Sequence, residues 1–208
     1  MSYNYGILFY TGGMSERASR TPSHQVRDEV IRAAIEILDT DGPDAFTVRA
    51  VADAAGVASM AIYNHFEGMN GLLDALWNEG FEGLAAALGV TTGHVRSDLV
   101  AAGHNYREYA LTHRGLYTVM FLHTFKHFEA SAEGSYNAAK AFQVLENLVK
   151  NAQRDGLFRA GNSVDMAQLV WSTCHGFVAL EIKGENFSAQ LDENYDALLN
   201  MVLDGLRP

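Results

Sequence analysis

Between Phe46 and Phe66 the chain carries Thr47, Arg49, Ser59, Met60, Ala61, Tyr63, Asn64 and His65 around an apolar skeleton of Val51, Val57 and Ile62. These residue types suit contacts to double-stranded DNA. Thr47 can cap a helix and also donate to a phosphate. Arg49 can reach a phosphate or pair bidentately with guanine, Asn64 can read adenine, and Met60 can pack on a thymine methyl. Ser59, Met60 and Asn64, with Ala61 among them, lie at and along the start of one short helix, where base edges are read. Tyr63 and His65 can donate to phosphates, which positions a helix without reading sequence. The competing reading is a small three-helix core with no ligand, in which neighbouring helices satisfy Tyr63 and His65.

These residues need elements to hold them. The apolar spacing predicts helix 1 over Ser23–Thr40, stopped by Asp41-Gly42-Pro43. Helix 2 is expected over Val48–Ala55 with Thr47 as its cap, and Gly56 supplies a left-handed turn. Helix 3 follows over Ser59–Asn64. Helices 2 and 3 are too short to be stable alone, so helices 1 and 4 must fix them. Helix 4 is expected over Gly68–Leu88, weakened by Gly71, Gly80 and Gly83 by up to ~1 kcal/mol each. Helix 5 is expected over Val95–His113 and helix 6 over Gly115–Phe125. A looser segment containing Gly134 comes next. Helices 7, 8 and 9 are expected over Tyr136–Asp155, Val164–Ile182 and Asp192–Leu206. No alternation bracketed by hairpin turns appears. The expected fold is all-α with about nine helices. A three-helix helix-turn-helix domain at 23–67 precedes a larger helical domain at 68–208.

Residues 1–22 read as a poorly ordered N-terminal extension. Within them, Met14 resembles an ordinary start, and residues 1–13 read either as a product of an upstream start codon or as an extension that packs on a partner. Arg17 and Arg20 could serve as an arm reaching phosphate or the minor groove.

Composition narrows the class. The chain has 208 residues, 48% of them hydrophobic, which is enough for a substantial core. Cys174 is the lone cysteine, so no intrachain disulfide forms and a cytoplasmic location is expected. No apolar run reaches a membrane span, and the apolar stretch 3–10 is too short, and has no basic flank, for a signal peptide. The net charge of −10 opposes DNA binding. Over residues 14–69 there are five Arg and nine acids, 5 − 9 = −4. Phosphate contact must therefore be local and well aimed.

The C-terminal half is rich in aromatics, Met and His. The bland reading is a helical core. The functional reading is an apolar pocket for a small apolar or aromatic effector, lined by Tyr106, Tyr109, Tyr117, Met120, Phe121, Trp171, His175 and Phe177. His123 and His127 stand four apart, yet no HExxH spacing or Cys/His cluster is present, so neither metal nor cofactor is expected. Paired carboxylates, a phosphate-binding Gly loop and a nucleophile elbow are also missing, so no enzyme is expected. Helices 8 and 9 offer Leu169, Val170, Thr173, Phe177, Leu180, Leu198, Leu199, Val202 and Leu203, more apolar face than a terminal hairpin buries alone. A homodimer through a four-helix bundle is expected. On that reading Leu199→Glu should split the dimer.

Phe46-Thr47, the run VADAAGV at 51–57, Ile62-Tyr63-x-His65-Phe66 and Leu72-Leu73-x-Ala75 resemble the DNA-binding domain of TetR-family transcriptional regulators. The resemblance is strong over about 23–77 and continues more weakly to the end. Trp171, His175-Gly176 and Leu180 are similar to the Trp…His-Gly pattern of one branch of TetR C-terminal domains. The resemblance implies an all-helical homodimer that places one reading helix per subunit in successive major grooves of an operator. It implies a repressor released by a small effector through movement of helix 4. The family commonly carries a Lys at the start of helix 4 to hold a phosphate, where this chain has Met69 and Asn70. That departure and the acidic head leave a second reading: a helical ligand-binding dimer with little DNA affinity.

Overall fold

The computed structural model describes residues 23–89 and 92–208. The expectations for residues 1–22, including Arg17 and Arg20, lie outside them. The described elements are α1 (Ser23–Thr40), α2 (Val48–Ala54), α3 (Ser59–Phe66), α4 (Met69–Leu88), α5 (Val95–Thr112), α6 (Arg114–Tyr117), α7 (Ala132–Arg154), α8 (Ser163–Lys183) and α9 (Leu191–Gly205). A 3-10 turn covers Pro43–Ala45 and a π-helical turn covers Thr118–Leu122. No strand occurs among the described residues.

Local chemistry accounts for the head. Thr47 Oγ1 accepts the Ala50 N–H at 3.1 Å and starts α2. Gly56 takes φ 67° at the turn between α2 and α3, a conformation that costs a glycine little. Val51, Ala52, Ile62 and Phe66 are buried against Val30, Ala34 and Leu38 of α1.

The sixth helix departs from expectation. Only Arg114–Tyr117 is α-helical, and the chain then widens into the π turn and leaves the helix at His123. Leu116, Tyr117, Val119 and Met120 are all buried. The wider turn changes the helical register after Tyr117. The seventh helix starts earlier than expected, because Ser131 Oγ accepts the Gly134 N–H at 3.0 Å and caps it. Gly134 is a packing notch rather than a break. A Cβ there would stand 3.0 Å from Asp74 Oδ1 and from Trp77 Cδ1 on α4.

The glycines of α4 have a similar purpose. A Cβ at Gly80 would meet Met120 Sδ at 2.5 Å, and one at Gly83 would meet the Tyr109 hydroxyl at 2.6 Å. What these positions lose in helix propensity they recover as close packing of α4 on α5 and the π turn. One continuous apolar core runs from Val30 to Leu206. At the far end, Arg107 of α5 bonds Glu181 of α8 at 2.6 and 2.7 Å and Asp192 of α9 at 2.7 Å. That clamp ties the α8–α9 hairpin to the body.

Candidate functional site

Two regions carry chemistry. The first is the outer face of the head. Arg49 is almost fully exposed, its guanidinium 3.8 Å from Asp53, and a pair this open is weak enough to be exchanged for another anion. Ser59 and Asn64 are exposed, Met60 is 65% and Tyr63 53% exposed, and Ala61 and His65 are half-buried. Ile62 and Phe66 anchor the opposite side of the same helix. The structure thus brings Ser59, Met60, Tyr63 and Asn64 to one solvent face of α3, with Thr47 and Arg49 on the neighbouring helix. No carboxylate occurs on α3 itself.

Charge around this face remains unfavourable. Residues 23–69 hold three Arg and eight Asp or Glu, 3 − 8 = −5. Asn70, at the start of α4, donates to the His127 carbonyl at 3.1 Å. It therefore fastens the head–body joint. The same face of α4 is held farther along, where Asp74 Oδ1 accepts the Ser131 N–H at 2.8 Å and Trp77 Nε1 donates to the Gly134 carbonyl at 3.0 Å.

The second region is a cavity of ≈ 350 Å³ inside the body, within the usual range for small-molecule sites. Phe81, Leu84 and Leu88 of α4, Leu99, Ala102, Gly103 and Tyr106 of α5, and Phe121 of the π turn form part of its wall. Ala138, Ala141, Phe142 and Leu145 of α7, Val164, Gln168, Val170, Trp171 and Cys174 of α8, and Leu199, Val202 and Leu203 of α9 complete it. Val164 and Gln168 are also exposed to solvent, so the opening lies at the start of α8.

Of the eight residues expected to line a pocket, Tyr106, Phe121 and Trp171 do so. The other five stand elsewhere. Tyr109 turns its hydroxyl to the Gly80 carbonyl at 2.8 Å and stacks on His113. Met120 packs against Gly80. Phe177 lies against Tyr195, with ring centres 5.1 Å apart. Tyr117 and His175 sit directly behind the wall, in a polar cluster that sequence reading did not assemble. Most of the lining is aliphatic, and nothing in helical spacing separates such residues from ordinary core.

The cluster is compact. Trp171 Nε1 donates to the Tyr106 hydroxyl at 3.2 Å. The Tyr106 and Tyr117 hydroxyls are 2.7 Å apart, and His175 Nδ1 lies 2.7 Å from Tyr117 and 3.0 Å from Tyr106. Burial holds His175 below the usual imidazole range. A neutral ring with its proton on Nε2 leaves Nδ1 free to accept. The chain Trp171 N–H to Tyr106, Tyr106 O–H to Tyr117, Tyr117 O–H to Nδ1 then satisfies the indole donor and both hydroxyl donors. Burial pushes the Tyr106 hydroxyl up to about 12 and Tyr117 higher still, so both remain protonated donors.

Tyr117 also ends the short helix that touches the head. A Cβ at Gly115 would lie 3.0 Å from Asp39 Oδ1, the Ile35 carbonyl and Leu38 Cβ of α1, and the Gly115 N–H donates to Asp39. The cavity wall is thereby bonded, through α6, to the first helix of the head.

The expected dimer surface needs correction. Leu169 and Leu180 of α8 are exposed, but Val170, Leu199 and Leu203 are buried within one chain. Leu199 fills the space against Gly103, where a Cβ would stand 2.5 Å from it. Leu199→Glu would thus disrupt the body's own core before it reported on a dimer. The large apolar residues of α8 and α9 left outside are Val164, Leu169, Leu180 and Met201.

Among the described residues, no helix is long and apolar enough to cross a membrane, and no group of three His, Cys, Asp or Glu converges as metal ligands would.

Comparison with known proteins identifies the family. The model described as Tetracyclin repressor-like, C-terminal domain, matches residues 99–206, and that for Bacterial regulatory proteins, tetR family, matches residues 30–76. The chain belongs to the TetR family of transcriptional regulators. An uncharacterized HTH-type transcriptional regulator of Mycobacterium tuberculosis is 28% identical over 179 residues, spanning 83% of this chain and 77% of that protein. The tetracycline repressor protein class C of Escherichia coli is 44% identical over 50 residues, 24% of this chain and 23% of the repressor. A solved structure of a protein of unknown function from Rhodococcus sp. RHA1 superposes with a TM-score of 0.79 at 29% identity, covering 93% of this chain and all of that one (100%). TetR proteins act as dimers on operator DNA and respond to small molecules, and this chain has the helix-turn-helix head and the helical body that such a regulator needs.

Proposed function

We propose that this TetR protein is a dimeric repressor whose hold on its operator is released when a small apolar molecule enters the body cavity. The observation that carries the reading is the bonded path between the two regions. Tyr106 and Trp171 line the cavity, Tyr117 shares their hydrogen bonds, and Gly115, two residues away, is bonded to Asp39 of α1. A molecule that moves the cavity wall bears on α6 and α4 together, and so on the placement of the head.

The proposed DNA contacts are Thr47, Arg49, Ser59, Met60, Ala61, Tyr63, Asn64 and His65. Exposure supports most of them directly, and Ala61 and His65 belong at the edge of the face. The second copy packs on α8 and α9 through Leu169, Leu180 and Met201. Its two-fold axis sets the two reading helices about 34–36 Å apart, one turn of DNA. The effector shifts operator affinity only by its differential affinity for the bound and released conformations.

The acidic head favours a second reading, a ligand-binding dimer with little DNA affinity. One experiment separates the two: fluorescence anisotropy against duplexes tiling the DNA beside the gene, at two salt concentrations. Tight binding to one duplex, saturating at one or two dimers and weakened by salt, is the expected result. Weak, salt-erased binding to every duplex would establish the second reading.

A further inference from the structure

Among the described residues, the walls of the cavity carry no Lys, Arg, His, Asp or Glu. The cluster behind them adds no charge, since its members are two protonated tyrosines, an indole and a neutral imidazole whose hydrogen bonds are made among themselves. Asp165, next to Val164 at the opening, is exposed to solvent and is not part of the lining, and Glu146 stands one residue beyond Leu145. It is engaged by Ser163 Oγ at 2.7 Å, by Gln143 and by Lys150 at 2.7 Å, so neither Glu146 nor Lys150 is free to receive an ion. An ionised ligand group inside would lose its hydration without gaining a partner, a cost that excludes it.

One hydrogen-bonding side chain at the opening remains adaptable. Gln168 lines the cavity, is exposed, and spends one amide N–H on Ser172 Oγ at 2.9 Å. Its carbonyl and second N–H can meet a ligand hydroxyl, carbonyl or amide. We infer that the effector is an uncharged molecule, apolar through its buried part, with one neutral polar group turned to Gln168 at the mouth. This assignment rests on the effector reading above and narrows it, excluding carboxylates, phosphate esters and ammonium compounds as the buried group.

The test compares three probes of one skeleton, octanol, octanoate and octylammonium, by isothermal titration calorimetry on the full chain at neutral pH. Octanol is expected to bind at least ~10-fold tighter than either ion. Gln168→Leu should weaken octanol by about threefold to tenfold, the range of one hydrogen bond. Filling the cavity with Ala141→Trp should remove binding, and Leu145→Trp, at a half-buried position, is the second variant should the first not fold. Equal or tighter binding of either ion overturns the assignment. So does octanol that fails to bind at its solubility limit, or that binds both filled variants unchanged. Operator anisotropy recorded with the same probes keeps the two claims apart. Octanol that binds without releasing DNA upholds the chemical class and refutes effector release. Octanoate that binds more tightly and releases DNA does the reverse.

Discussion

The reading face and the cavity wall are built from similar side chains under opposite conditions. On α3, Met60 and Tyr63 are 65% and 53% exposed, and nothing among the described residues satisfies them. In the body, Tyr106 and Tyr117 are 4% and 0% exposed, and their hydroxyls are bonded to each other and to His175. An exposed aromatic contributes little to folding, so its side chain is available to an outside partner. A buried tyrosine must find a hydrogen-bond partner within the fold, and that requirement links the elements it comes from. The head therefore works through individual side chains and the body through a network. Substitutions should separate the two by what they disturb.

The largest effect tests whether the head acts as one of a pair. Leu180 lies on the exposed side of α8, so a charge there leaves the core of one chain intact. Leu180→Glu should give a monomer by analytical ultracentrifugation, an unchanged melting temperature for the single chain, and operator affinity weaker by about 10²-fold or more through loss of the second half-site. A monomer that holds the operator undiminished would refute the proposed surface.

Arg49→Ala comes next. The side chain is almost fully exposed and its ion pair with Asp53 is loose. Stability should therefore move by under about 0.5 kcal/mol, while operator binding falls by about 1–3 kcal/mol if the guanidinium reads a base. A smaller loss shared by all sequences, with a reduced salt slope, would assign it to a phosphate instead. Octanol binding should not change.

The same contrast decides what could be read from the sequence. The head was legible almost residue by residue, because caps, turns and exposed polar positions are local. Thr47 caps α2 and Gly56 turns left-handed, as their types require. Helix α1 keeps its expected bounds, stopped by Asp41-Gly42-Pro43. The body was legible only as helices. Leu84, Leu99 and Leu203 line a cavity, yet their spacing is that of any buried face. The register change after Tyr117 was hidden because an apolar run reads as helix whether or not it contains a π turn. The Arg107 clamp joins residues 74 and 85 positions apart (181 − 107 and 192 − 107), a pairing that no local pattern encodes.

A smaller substitution tests the network itself. Tyr117→Phe removes a hydroxyl that bonds both Tyr106 and His175 and leaves those two only their mutual 3.0 Å contact in a buried site. A loss of about 1–2 kcal/mol is expected in urea unfolding. Operator affinity without effector should hold. The dependence of that affinity on octanol should shrink, because the cavity wall and α6 are no longer bonded. Full coupling in the variant would confine the network to a structural role.

The smallest effect is a pH dependence, and its sign follows from burial. His175 is held neutral in the fold, so its folded pKa lies below the unfolded value of about 6.5. The unfolded chain takes up a proton that the folded chain refuses. The stability contributed by the neutral ring is therefore complete above about pH 6.5 and drains away as pH falls from there toward the folded value. Glu79 acts in the opposite direction, since burial raises its carboxyl and protonation then favours the fold. The comparison must isolate the imidazole. His175→Gln keeps an acceptor for the Tyr117 hydroxyl but cannot titrate. Between about pH 7.5 and pH 5.5, inside the range where histidine titrates, the urea midpoint of the native chain should fall further than that of the variant. Equal falls would mean that the ring gains its proton in place, and that the tyrosines give up their donor chain to let it.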